Sequence, residues 1–153
     1  MSVLAFALEK YKKVWYTEFK KAAWKVGIKK MALLESGEMY LETILVLTKR
    51  MGKGAVRSID IATETGYSKP SVSRAVGILK DGGFIEISDG GYITLTDDGE
   101  NIASTIYERH VTLTDFFVKI GVKKETAAAD ACKIEHCLST ETFDKLKKHI
   151  KSM

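Results

Sequence analysis

The segment Cys132-Lys133-Ile134-Glu135-His136 places a thiol, a carboxylate and an imidazole within five residues. On a helix, positions i, i+3 and i+4 share one face, so Cys132, Glu135 and His136 would converge on a single point. Ligands of such mixed softness suit a divalent transition metal. Each residue also has an ordinary use: a cysteine is often a small core residue, and a histidine often packs or caps. Spacing alone leaves both readings open. Cys132 and Cys137 are the two cysteines of the chain. Five apart on one helix they point away from each other, which favours reduced thiols in a cytosolic protein over a disulfide framework.

A second group of residues could touch nucleic acid. In YSKPSVSRAVGILKDGG, Ser68 can cap a helix, Pro70 is tolerated in its first turn, and Val72, Ala75, Val76 and Leu79 form a buried stripe. That leaves Ser68, Lys69, Ser71, Ser73, Arg74 and Lys80 exposed. Hydroxyls and lysines suit phosphate oxygens, Arg74 could reach a guanine edge with two parallel hydrogen bonds, and Pro70 could press on a thymine methyl. The plain reading of these residues is a solvated face. Small polar residues at a helix N-terminus, which let it approach a phosphate backbone closely, favour DNA contact.

These groups need a scaffold to position them. Residues 57–66 read as a short helix ending at a glycine, and the helix beginning after Ser68 ends at Gly82 and Gly83. FIEIS and YITLT alternate apolar and polar residues and are joined by Asp89-Gly90-Gly91, a hairpin signal. Two short helices, a glycine turn and a hairpin, in that order, give a winged helix-turn-helix whose second helix enters a major groove. A helix from about Gly37 to Gly52, carrying Met39, Tyr40, Ile44, Leu45 and Leu47, precedes this unit. Thr96 caps a long helix to about Lys119, Gly121 breaks it, a helix holding Ala128 to Cys137 follows, and Ser139 caps a final basic helix. Ahead of all this, residues 3–26 carry apolar side chains at intervals of three or four, with lysines opposite. The predicted fold is mainly α: an N-terminal amphipathic extension over 1–35, a winged helix-turn-helix domain over 36–97, and a further helical domain over 98–153 that carries the Cys132–His136 segment.

Composition narrows the function classes. At 153 residues and 45% hydrophobic the chain can bury one good core. The net charge is +4, but residues 1–30 hold eight lysines against two glutamates, so the remainder is slightly acidic. Any DNA contact must then be local rather than a general basic surface. No run of apolar residues is long enough to span a membrane, and MSVLAFAL lacks the basic start and cleavage site of a signal peptide. A cytoplasmic location follows as the expectation.

Taken together, EMYLETI at 38–44, SKPSVSRAV at 68–76, the Arg109-His110 pair and CKIEHCLS at 132–139 resemble the diphtheria toxin repressor family of metal-dependent regulators, including its shorter manganese-transport branch. The motifs lie in the family order from Glu38 to Ser139. The resemblance implies metal-ligand roles for Met39, Cys132, Glu135 and His136, with Glu42 and His110 matching ligands of the manganese branch. Met39 and Cys132 follow the iron-sensing pattern instead, so the implied metal is Fe(II) or Mn(II). Thr114 and Ala128 stand where iron-sensing members carry an ancillary Glu and His, a departure from a second site of that type. The SH3-like third domain of longer members is not expected here.

The function implied is a homodimeric repressor of double-stranded operator DNA that takes no small organic substrate. A metal bridging the winged domain to the dimer core would favour the spacing of recognition helices that matches successive major grooves, about 34 Å apart. It could do so only through different affinities for the two arrangements. The alternatives are a metal-independent winged-helix regulator and a thiol-redox sensor using Cys132 or Cys137. An enzyme is the weakest reading, because no oxyanion-forming loop or distinct substrate domain accompanies the Cys–His pair.

Overall fold

The structure is a computed structural model, and it describes residues 35–152. The helix expected over residues 3–26 lies outside these residues. Helix α1 (Glu35–Met51) begins with Glu35 and Glu38 in its first turn and ends with Lys49 and Arg50, so its charges oppose the helix dipole at both ends. It buries Tyr40, Leu41, Ile44, Leu45 and Leu47. This apolar stripe leaves Glu38 and Glu42 half-buried, one turn apart.

Strand β1 (Val56–Arg57) runs into helix α2 (Ser58–Thr65). The sequence reading began this helix at Arg57. In the structure that residue is extended and pairs with Tyr92, while its amide donates to the Asp60 carboxylate at 2.8 Å and so starts α2 one residue later. Gly66 ends α2 in the left-handed region (φ 72°), its N–H returning to the Ala62 carbonyl at 3.0 Å. Only glycine enters that region without steric cost. Helix α3 (Lys69–Asp81) follows with Ser68 as its cap and Pro70 in the first turn, burying Val72, Val76 and Leu79.

Strands β2 (Ile85–Ile87) and β3 (Tyr92–Leu95) form the expected hairpin, and the antiparallel sheet has the order β1-β3-β2. Ile61, Val72, Leu79, Ile85, Ile93 and Leu41 are all nearly or fully buried, so α1, the helix pair and the hairpin share one core. Helix α4 (Asp97–Lys119) is capped by the Thr96 hydroxyl, which accepts from the Gly99 amide at 3.2 Å and donates to the Gly83 carbonyl at 2.8 Å. Its first turn sits hard against the hairpin: a Cβ at Gly99 would come within 2.0 Å of the Phe84 carbonyl oxygen.

Helices α5 (Lys124–Ile134) and α6 (Thr140–Lys151) complete the described chain, with Ser139 capping α6. Here the sequence reading needs correction, because it carried α5 on to Cys137. The helix stops at Ile134, and Glu135, His136 and Cys137 form a turn. The buried Arg109 of α4 holds the segment just beyond this end. Its Nη1 donates to the carbonyls of Glu135 at 3.0 Å and Leu138 at 2.7 Å, giving these acceptors a partner where the helix no longer supplies one.

Candidate metal centre and DNA-facing helix

Three elements meet at one buried point. Glu42 comes from α1, His110 from α4, and Glu135 from the turn after α5. One ligand atom from each lies within 4.8 Å of those from the other two. Glu135 is fully buried. One of its carboxylate oxygens lies 2.8 Å from His110 Nδ1, while the other, Oε1, has no hydrogen-bond partner. His136 extends the group: its Nε2 is 3.3 Å from Glu135 Oε1, and its Nδ1 is 2.8 Å from Glu38 Oε2 on α1. Isolated buried carboxylates are costly, and a buried oxygen without a donor is more so. A cation held there would give that oxygen a partner.

The electrostatics point the same way. Burial, followed by the nearby Glu135 charge, pushes the Glu42 carboxyl up to about 7. The hydrogen bond with Glu135 raises the His110 imidazole despite partial burial. Glu42 thus retains a proton where a carboxylate would ordinarily have lost it, and His110 holds its own more firmly. A divalent cation could displace those protons and neutralise both carboxylates. Its donor set, two carboxylates with one or two imidazoles, is on the harder side and suits Mn(II) or Fe(II).

The six residues anticipated as ligands are placed unequally. Glu42, His110 and Glu135 form the compact group, and His136 adjoins it with its side chain 4% exposed. Cys132 lies on the last turn of α5 and is exposed, outside the three-residue group. Partial burial, together with the Glu135 and Glu42 charges, raises its thiol. That is the wrong direction for a reactive redox thiolate. Met39 is turned toward the winged unit, where its sulfur accepts a long contact of 3.9 Å from the Tyr67 hydroxyl. Glu135 keeps helical dihedrals and donates its amide to the Ala131 carbonyl at 3.0 Å, so it continues the face of α5, while His136 follows in the turn.

Two contributors were not identified from sequence. Glu38 sits in the same EMYLETI motif, one turn before Glu42, and that i, i+4 spacing was the available signal. Arg109 sits beside His110. A basic residue next to a site histidine gives no hint that it is buried and clamps the turn carrying Glu135.

The residues expected to face DNA lie on the surface. Ser68, Lys69, Pro70, Ser71, Ser73, Arg74 and Lys80 are all exposed along α3 and its cap. The Ser68 hydroxyl donates to Ser71 Oγ at 2.9 Å, while its oxygen accepts from the Ser71 amide at 3.4 Å. At the hairpin, Arg57 lies over the Tyr92 ring at 4.3 Å and donates to the Gly90 carbonyl at 2.8 Å, stiffening the wing beside α3.

Comparison with known proteins agrees with this arrangement. Residues 32–91 match the N-terminal DNA-binding domain of the iron-dependent repressors, and residues 96–153 match their metal-binding and dimerisation domain. The chain is 34% identical over 105 residues to the transcriptional regulator MntR of Escherichia coli O6:H1, covering 69% of this chain and 66% of that protein. It is 31% identical over 114 residues to an uncharacterised HTH-type transcriptional regulator of Methanocaldococcus jannaschii, covering 74% of this chain and 90% of that one. Among solved structures, the manganese regulator SloR superposes with a TM-score of 0.67 at 25% identity, over 75% of this chain and 53% of that chain. IdeR of T. acidophilum shares the fold, with a TM-score of 0.66 at 23% identity over 74% and 53%. The chain thus spans 66% of the Escherichia coli relative and about half of these solved regulators. With both family domains matched in order, the chain belongs to the iron-dependent repressor family, the diphtheria-toxin-repressor type of transcriptional regulators.

Proposed function

We propose that the protein is a metal-dependent transcriptional repressor that binds operator DNA as a homodimer when loaded with Fe(II) or Mn(II). The observation that carries this reading is the convergence of Glu42, from the helix that packs beneath the winged unit, with His110 and Glu135 from the helices that follow. A cation held by all three would tie the DNA-binding part to the rest of the molecule. Glu42, His110 and Glu135 would hold it, with His136 at the edge of the set and Cys132 and Met39 as further donors by family resemblance. The metal would supply charge neutralisation and a rigid link; the chain's residues supply the differential affinity that turns binding into a preference for one arrangement.

In this reading 36–97 is the DNA-binding domain and 98–153 the metal-binding and dimerisation domain, with 1–35 as an extension. Ser68, Lys69, Pro70, Ser71, Ser73, Arg74 and Lys80 face the operator. A second copy of the chain would cover apolar side chains left exposed late in α4 and just after it. Val111 and Val118 lie seven residues apart and so on one helix face, and Ile120 follows them. No helix among the described residues is long and apolar enough to cross a membrane, in keeping with a cytoplasmic regulator. The similarity to the manganese regulator SloR supports Mn(II) as the first metal to test. Operator binding measured anaerobically against a panel of divalent metals tests the reading. Activation by Mn(II) or Fe(II), lost on chelation, is expected, and equal binding with and without metal would reject it.

A further inference from the structure

The contact between Glu38 and His136 joins residues 98 positions apart in sequence. It lies beside the group formed by Glu42, His110 and Glu135. The His136 ring is almost wholly enclosed, at 4% exposure, whereas Glu38 keeps 28%. A buried imidazole has two ring nitrogens to satisfy, and here each faces a different carboxylate. Nδ1 is 2.8 Å from Glu38 Oε2, and Nε2 is 3.3 Å from Glu135 Oε1, the oxygen that has no hydrogen-bond partner. Glu38 and Glu42 are one helical turn apart on α1 and so share a face. One turn of α1 therefore delivers two carboxylates to the same region with different tasks. Glu42 reaches the Glu135–His110 group directly, while Glu38 stops at the far side of the His136 ring.

We infer that Glu38 is a positioning residue: it accepts a hydrogen bond from His136 Nδ1–H, and so fixes the ring with Nε2 turned toward Glu135 as a fourth donor. The carboxylate–histidine pair is a general device of metal sites. A carboxylate that accepts from one ring nitrogen sets the orientation of the other and raises its basicity as a ligand. The inference rests on the metal-site reading above for its consequence, but the hydrogen bond itself is a property of the protein alone. It also gives α1 a second hold on the turn after α5, so that orientation of His136 depends on where the winged unit sits.

The test uses the full chain and three proteins: wild type, Glu38→Gln and Glu38→Ala. In metal-free protein, the ring N–H protons of His136 are observed by nitrogen-correlated NMR. A low-field Nδ1–H proton protected from exchange is expected in wild type. It should persist in Glu38→Gln, whose amide oxygen can still accept, and vanish in Glu38→Ala. Calorimetry with Mn(II) alone should then show Glu38→Ala binding about 10–100-fold more weakly, the usual cost of losing such a partner, with Glu38→Gln losing much less. An unprotected Nδ1–H in wild type, or its persistence in Glu38→Ala, would overturn the inference whatever the metal does. Equal affinity losses in Glu38→Gln and Glu38→Ala would overturn it too, since the carboxylate would then act through its charge or as a ligand. If the protected proton behaves as expected but wild type binds no Mn(II), the positioning role stands and the metal reading is what fails.

Discussion

At the scale of single residues, the site gathers titratable groups whose charges depend on one another. Glu42, raised to about 7, holds a proton in the folded chain that it would release on unfolding. His110, also raised, keeps its charge to higher pH when folded. Between the ordinary carboxyl range and about 7 the folded state therefore binds more protons than the unfolded state, so stability falls as pH rises through that interval. His110 acts in the same sense: its contribution is full below the ordinary imidazole range and is lost as pH rises through its folded value. Metal-free protein should consequently melt at a lower temperature at about pH 8 than at about pH 6. Glu42→Gln should flatten that dependence. Metal must displace the same protons, so Mn(II) affinity by calorimetry should rise over this interval and shrink the difference in melting temperature. A melting temperature of the metal-free protein that climbed from pH 6 to pH 8 would contradict the assignment.

At the scale of elements, what matters is how turns and helix ends aim these side chains. Arg109 reaches from α4 to two carbonyls of the turn that carries Glu135 and His136. Arg109→Ala should destabilise the fold by about 3 kcal/mol, since hydrogen bonds from a charged donor are lost and buried carbonyls are left unpaired. It should also weaken metal binding, because the turn is no longer held. Urea denaturation and calorimetry would check the pair, and an unchanged denaturation midpoint would sink the clamp. Gly99→Ala should cost several kcal/mol for a different reason, the 2.0 Å approach of a Cβ to the Phe84 carbonyl, where neither side is a movable side chain. On α3, Arg74→Ala should lose about 1–3 kcal/mol at the cognate operator and relax preference at one base pair, whereas Lys80→Ala should weaken all sequences alike and reduce the salt dependence. Binding measured on cognate and random DNA at several salt concentrations separates the two, and equal losses on both DNAs for both variants would remove the distinction.

These elements were unevenly legible in the sequence. The caps Ser68, Thr96 and Ser139, the Asp89-Gly90-Gly91 turn and the C-capping Gly66 are local signals, set by bonds within four residues, and the structure follows them. The end of α5 was not legible from its own residues, and the turn beyond it is held by Arg109, 26 residues before Glu135. Strand β1 is two residues long and exists only by pairing with β3, so no periodicity within Val56–Arg57 could announce it. Of the residues expected at the site, Glu42, His110 and Glu135 converge, Cys132 lies outside that compact group but within reach of the Glu135 and Glu42 charges, and the Met39 sulfur contacts the Tyr67 hydroxyl. Their types and spacing were visible in the sequence, but their directions depend on the tertiary fold.

At the scale of the whole molecule, two surfaces and one buried site must act together. If Val111 and Val118 lie at the interface between copies, Val118→Asp should shift the protein toward monomer in analytical ultracentrifugation and weaken operator binding with it, since a charge would be buried against an apolar face. An unchanged dimer would place the interface elsewhere. The central claim is that metal links the winged unit to the helices behind it through Glu42 on one side and Glu135 on the other. Operator affinity should therefore be measured for wild type, Glu42→Ala and Glu135→Ala, with and without Mn(II), beside circular dichroism to show that each is folded. The account predicts strong Mn(II)-dependent binding by wild type, and loss of that dependence in both variants although each remains a folded dimer. Folded variants that kept wild-type activation by Mn(II) would contradict it.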